Sequence, residues 1–412
     1  MDKMTDNRNN FIFYEDAEYG DSIELARSMV SFANEFGLSG NLWHHRLAYM
    51  LMMHENAFTL ACERRHIDDS STILRLAAKD LEKIRLMFQK GAASSNDDST
   101  PEIPKMLSDY VAPLKDAEAS AAGRRIKELS DKLQAAGTDA EFISTVREYY
   151  GRYGAGKYGM YKAFRVAQDD DEMEIVPVTD TEDITFDILV GCESQTETLR
   201  ENTEAFLSGI SANNVLLYGD SGTGKSTSIH ALMHDYYDRG LRLIEISKPE
   251  RKYMPDVLAE IKKRNYKFII FLDDLSFEEN ESAYKELKAM LEGALEAAND
   301  NVIIYATSNR RHLIRETWKD RSDMEYDQDV HRSDTMEEKL SLAGRFGVSI
   351  YYPKPGPKEY LRIVRTLAGR KGLDISDEEL KDEARKWELR HGGMSGRVAA
   401  QLVTWLAGSK IQ

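Results

Sequence analysis

Cysteine is nearly absent: Cys62 and Cys192 are the only two in 412 residues. Two thiols this far apart supply neither a disulfide framework nor the spacing of a zinc site. Long apolar runs are also missing, with none near the roughly 20 residues that cross a bilayer. The opening segment, MDKMTDNRNNFIFYEDAEYG, lacks the basic-then-apolar order of a signal peptide. These absences make the cytoplasm the expected compartment and leave no membrane among the expected partners. Basic charge is in deficit: 55 Lys and Arg against 71 Asp and Glu give a net charge of −16 and a pI near 5.2. A field of that sign repels phosphate at long range, which argues against indiscriminate nucleic-acid binding but leaves room for a local basic face. What remains is ordinary for a globular chain, 42% hydrophobic and 31% charged, and its length predicts two or three domains.

Residues 20 to 90 read as helices. Asp21 and Glu24 form a capping box before IELARSMVSFANEF, and GLSG ends that run. One helix is expected over LWHHRLAYMLMMHENAFTLACERRH and another over STILRLAAKDLEKIRLMFQ. The small, polar stretch 91–104 reads as a linker, and a second helical stretch runs to about 150, closing an N-terminal helical domain at 1–150. A Gly/Tyr-rich then acidic connector follows over 151–184. From 185 to 353 strands and helices alternate, with strand candidates NVLLY, LRLIEI, KFIIFLD, NVIIYAT and GVSIYY. Such near-continuous Val/Ile/Leu runs suit parallel strands buried on both faces. Residues 354–412 return to helices.

Chemistry concentrates in LLYGDSGTGKSTSIHALM, where Gly219 to Ser226 match G-x-x-x-x-G-K-[ST] between a strand and a helix. Gly219, Gly222 and Gly224 let the backbone of Asp220, Ser221, Thr223 and Thr227 curl its N–H groups toward phosphate. Lys225 reaches the β- and γ-phosphates, Ser226 ligates Mg²⁺, and the helix N-terminus adds its dipole. The strand KFIIFLDDLSFEE ends in Asp273, placed to hold Mg²⁺, and Asp274, placed as a base for the attacking water. NVIIYATSNRRHL ends in Asn309, whose amide suits the γ-phosphate and the water. Arg345 precedes the fifth strand, and Arg397 lies in the first turn of the last helix beside a Ser395 cap.

Five elements in this order resemble the AAA+ ATPases over about 185 to 408. The resemblance implies an α/β core with a parallel five-stranded sheet in the order 5-1-4-3-2 and a helical lid. By that resemblance Asn309 corresponds to sensor 1, Arg345 to an arginine finger acting on a neighbouring subunit, and Arg397 to sensor 2. It therefore implies ATP, Mg²⁺ and a homo-oligomer. FDILVG (186–191) resembles the segment bordering adenine, which brings in Val190 and Gly191. Longer stretches, among them FLDDLSFEE and EEKLSLAGRFG, resemble a bacterial family of ATP-binding proteins classed as a domain of unknown function.

The sequence departs from many AAA+ proteins in two places. Asp-Asp stands at the end of the third strand where Asp-Glu is common, setting the base about 1.5 Å further back. Asp-Asp also occurs in the slowly hydrolysing initiator and helicase-loader branch, so it favours a switch over a motor. SKPERKYMPDV stands where a substrate-threading pore loop would be.

Other patterns weigh less. MMHENAF begins like an H-E-x-x-H metal helix, but Phe58 occupies the second ligand position. His44, His45 and His54 read as ordinary helix residues, as do the pairs Glu63/His66 and Glu388/His391. Tyr153, Tyr158, Tyr161 and Phe164 interleave with Arg152, Lys157, Lys162 and Arg165, a composition suited to stacking on bases. Packing on the protein itself is the favoured reading. The charged stretch 309–339 reads as a solvated loop or an interface segment. The function expected is therefore Mg²⁺-dependent ATP hydrolysis at a subunit interface, driving a switch on a protein or nucleic-acid partner. The alternatives are a nucleotide-gated binding module with negligible hydrolysis, and a P-loop phosphotransferase.

Overall fold

Helical periodicity in the first part of the chain produces α1 (Ser22–Phe36), α2 (Leu42–Met53), α3 (Ala57–Glu63), α4 (Thr72–Lys90), α5 (Glu102–Ser108), α6 (Ala121–Ala135), α7 (Asp139–Tyr153) and α8 (Gly156–Met160) in the computed structural model. The structure describes residues 11–14, 22–64, 67–90, 102–112, 120–169, 172–179, 184–275, 300–309 and 345–409. Asp21, His66, most of the 91–104 linker and residues 310–344 lie outside this set. The chain divides into two units between Tyr161 and Lys162, within the stretch expected as a connector. In the first unit, Leu42, Ala48, Phe58, Leu81, Ile84, Ile126 and Phe142 are fully buried in one apolar cluster.

The helix expected from Leu42 through His66 is two helices. Asn56 interrupts it, its side chain accepting from the N–H groups of Phe58 and Thr59 at 2.9 and 3.0 Å. Thr59 returns the bond to the Asn56 N–H, closing a capping box. A local cap of this kind competes with helix continuation. It leaves His54 at the C-cap of α2, so the H-E pair of MMHENAF does not sit on one helix. Asn56 also donates to the carbonyl of Phe13 at 2.9 Å. Asn56→Ala is expected to cost about 1–2 kcal/mol of stability, read as a lower thermal midpoint by circular dichroism.

The second unit is built on a seven-stranded sheet. Its strands are β1 (Ala163–Asp169), β2 (Glu172–Pro177), β3 (Val215–Gly219), β4 (Leu241–Glu245), β5 (Lys267–Leu272), β6 (Val302–Ser308) and β7 (Val348–Tyr352). The order is β2-β1-β4-β5-β6-β3-β7. The five strands read from the sequence appear in the expected 5-1-4-3-2 order and are mutually parallel. The count of five is corrected to seven. β1 adds to β4 in parallel and β2 pairs antiparallel with β1, so part of the expected connector covers a sheet edge. Phe164 and Ile175 are completely buried while Glu174 faces solvent, a one-sided strand pattern that the acidic composition hid.

Buried runs such as Phe268–Leu272 and Ile303–Ser308 belong to strands covered on both faces. Helices α9 (Glu193–Leu207), α10 (Lys225–Tyr236) and α11 (Met254–Ile261) alternate with them. After β7, helices α12 (Pro357–Arg370), α13 (Asp377–Arg390) and α14 (Gly396–Ser409) close a small separate core around Val364, Leu380, Ala399 and Leu402. Among the described residues no helix is long and apolar enough to cross a membrane.

Candidate functional site

Parallel pairing sets the site's location. β3 lies between β6 and β7, and β6 also pairs with β5, so the carboxyl ends of β3, β5 and β6 open on one rim of the sheet. In such sheets ligands bind at that rim. The turn after β3 and the acids after β5 meet there with Asn309 after β6. A cleft of about 590 Å³ runs along it, lined by residues 221–227, Asp273, Asp274 and Asn309. Its far wall includes Val190 and Gly191 before α9, Ile363 and Leu367 of α12, and Arg397 of α14. Gly219, Asp220 and Arg345 do not line it, although Asp220 and Gly219 contribute through their carbonyls.

Glycines shape the turn for steric reasons. Gly219, Gly222 and Gly224 have φ of 139°, 74° and 100°, values that L side chains rarely adopt. A Cβ on Gly219 would stand 2.1 Å from the carbonyl oxygen of Tyr352, and one on Gly224 2.8 Å from the side chain of Leu189. α10 begins directly at Lys225, leaving its first N–H groups aimed at the cleft.

Lys225 is 5% exposed. Its ammonium donates to the carbonyls of Gly219 and Asp220 at 3.0 and 2.7 Å and to Asn309 Oδ1 at 3.0 Å. Burial pushes its pKa down; the carboxylates of Asp273, Asp220 and Asp274 pull it back up, and the charge of Arg397 lowers it again. Ser226 donates to Asp273 Oδ1 at 2.8 Å, bringing the two expected Mg²⁺ ligands together. Asn309 turns its amide nitrogen to Asp274 Oδ1 at 2.7 Å, so one side chain bridges the lysine and the second acid. Asp274 has φ of 50°, the one described non-glycine residue with positive φ. Asp and Asn adopt that left-handed region more readily than Glu, a backbone reason for Asp-Asp at this point.

The lid reaches the turn through its last helix. Ser395 caps α14 by accepting from the Val398 N–H at 3.2 Å, and the Arg397 N–H donates to the Gly222 carbonyl at 3.4 Å. Beyond the cleft, Arg362 of α12 pairs with Glu193 at 2.7 Å, and Glu193 accepts from the Gly191 N–H at 3.2 Å. Sequence reading missed this clasp, and it missed Thr307, which lines the cleft between the expected residues. Thr307 near the end of β6 and Asn309 just past it are two positions apart, and that spacing was the available signal.

Several residues of the side patterns pack on the protein itself. His44 and His45 are buried, with ring nitrogens on the carbonyls of Phe88 and Ser39 at 2.8 and 3.2 Å. His391 stacks on Trp387 at 4.0 Å. Among the described residues no group of three His, Cys, Asp or Glu is placed to hold a metal ion. Tyr158 and Phe164 are buried, and Arg125 and Arg152 lie over the Tyr153 ring at 4.5 and 4.9 Å.

A family model described as "Protein of unknown function (DUF815)" matches residues 159–410, and the chain belongs to that family. It is 28% identical over 242 residues to the ATP-dependent zinc metalloprotease FtsH 2 of Salinibacter ruber (strain M8), a match over 52% of this chain and 34% of the relative. The chain thus spans about a third of the length of that curated relative. Among solved structures, the Thermotoga maritima RuvB Holliday junction branch migration motor is similar at 18% identity and a TM-score of 0.38, over 54% of this chain and 63% of that one. The FIGL-1 AAA domain in complex with ADP is similar at 20% and 0.40, over 56% and 75%. The strand order, the glycine turn after β3 and the three helices after β7 are those of the AAA+ fold.

Proposed function

We propose that this member of the DUF815 family hydrolyses MgATP at an interface between subunits and uses the cycle to change its grip on a partner. The observation that carries the reading is the unbroken polar chain Ser226–Asp273–Thr307–Asp274–Asn309–Lys225 at the mouth of a glycine turn. A triphosphate fits the turn's chemistry: N–H groups, one buried cation and a helix N-terminus converge where glycine alone is tolerated. A hard divalent cation fits the neighbouring pair of oxygen donors, the Ser226 hydroxyl and the Asp273 carboxylate.

Within this reading the backbone of residues 219–227 and Lys225 hold the phosphates. Val190 and Gly191 border the base, with Ile363 and Leu367 supplying apolar wall. Bound Mg²⁺ would neutralise charge on the phosphate oxygens. Asp274 accepts the proton of the attacking water, and Asn309 orients that water. Arg397 ties lid position to the nucleotide, and Arg345 acts on a neighbour's site. A second reading, a switch that turns over slowly, is favoured by Asp274 being engaged by Asn309 at 2.7 Å. Net charge of −16 favours a protein partner over nucleic acid, and the cytoplasm is the compartment proposed.

The test is calorimetric titration of MgATP into wild type and Lys225→Ala. Losing a charged donor to phosphate is expected to weaken binding about 10- to 100-fold. Equal affinity in the two proteins would remove the nucleotide assignment.

A further inference from the structure

We infer that Thr307 is a positioning residue for hydrolysis, fixing both acids after β5 through one hydroxyl; this rests on the roles proposed above for Asp273 and Asp274. Thr307 is 2% exposed and sits near the end of β6. Its Oγ1 lies 2.9 Å from the backbone nitrogen of Asp274 and 2.6 Å from Asp273 Oδ1. The Asp274 N–H can only donate, so the hydroxyl accepts there and must direct its single proton at the Asp273 carboxylate. Both bonds are thereby determined. The Thr307 carbonyl accepts a third, from the Leu275 N–H at 2.6 Å. One residue thus holds three in succession as the chain leaves the strand.

The hold matters because of what it holds. Asp274 keeps a φ of 50°, a sparsely populated conformation that persists only where its surroundings impose it. That conformation carries the carboxylate to Asn309. The same hydroxyl and Ser226 both bond Asp273 Oδ1, setting the orientation of the proposed Mg²⁺ ligand. Hydrogen bonds behind a metal ligand typically govern affinity or activity 10- to 100-fold. Valine is close to threonine in shape and favours strands, so Thr307→Val removes the hydroxyl and spares the packing, while Thr307→Ser restores it.

The experiment compares wild type, T307V, T307S and D274N by calorimetric titration of ATP with EDTA and with Mg²⁺, by kcat and KM, and by melting temperature. T307V is expected to bind ATP in EDTA as wild type does and to melt near it, while losing about 10- to 100-fold in the Mg²⁺-dependent gain of affinity or in kcat. T307S is expected to recover most of the loss. T307V with wild-type Mg²⁺ response and kcat, beside an inactive D274N, would overturn the inference and leave the proposed function standing. A T307V defect that T307S fails to recover would overturn it equally, since packing would then explain the loss. D274N turning over at the wild-type rate would instead overturn the reading beneath it.

Discussion

Asp274→Asn is expected to lower the steady-state rate of ATP hydrolysis by about 10²- to 10⁴-fold, the range set by general-base catalysis, and to leave ATP affinity close to that of wild type. The substitution is discriminating because of the backbone on which it falls. Asp274 has φ of 50°, and asparagine tolerates that left-handed conformation as aspartate does. The backbone bond to Thr307 at 2.9 Å is indifferent to the side chain. An asparagine oxygen still accepts from Asn309 Nδ2, now at 2.7 Å from Asp274 Oδ1. What disappears is the ability to take a proton from water at neutral pH. Phosphate release at saturating ATP is the readout. A variant as fast as wild type would place the base elsewhere.

Much of the core of the second unit was legible in local sequence. G-x-x-x-x-G-K-S between a strand and a helix is written in consecutive residues, and the positive φ of Gly219, Gly222 and Gly224 belongs to the turn itself. β3 to β6 announced themselves as apolar runs because they are buried on both faces, while β7, at the sheet edge beside β3, alternates buried and exposed residues. β1 and β2 did not. Their pairing joins residues 163–165 to 243–245, a relation between distant segments that composition cannot carry. Glu174 of the second strand faces outward, and the acidic composition there mimics a connector. The break between α2 and α3 was local and missed for another reason: apolar spacing continues across Asn56, and its cap overrides that spacing.

The site shows the same division. Lys225, Ser226, Asp273, Asp274 and Asn309 were each identified by their place at a strand or helix end, and the fold brings them onto one rim. Thr307 lay one strand repeat before Asn309, where a buried threonine reads as strand filling; only the bonds to Asp273 and Asp274 distinguish it. The clasp of Arg362 on Glu193 joins the lid to the first residue of α9, again across a distance that no motif spans. Chemistry held in one turn is visible in sequence. Chemistry assembled by packing is not.

Arg345→Ala is expected to reduce kcat by about 10³-fold or more, as loss of an arginine finger does, with ATP affinity per subunit little changed. Arg345 precedes buried Phe346 and β7 and does not line the cleft of its own chain. On the proposed reading, a residue so placed would bear on hydrolysis through a neighbouring copy. Two consequences separate this from a defect within one chain. Wild-type specific activity rises with protein concentration until the assembly saturates, whereas Arg345→Ala stays low throughout. Mixing Arg345→Ala with Asp274→Asn then restores part of the activity. Where the two variants meet in the right order, an intact base in one subunit faces an intact arginine from the other, a complementation that two defects in a single self-contained site could not give. Flat specific activity across the concentration series, together with no recovery in the mixture, would confine the chemistry to one chain and take Arg345 out of it.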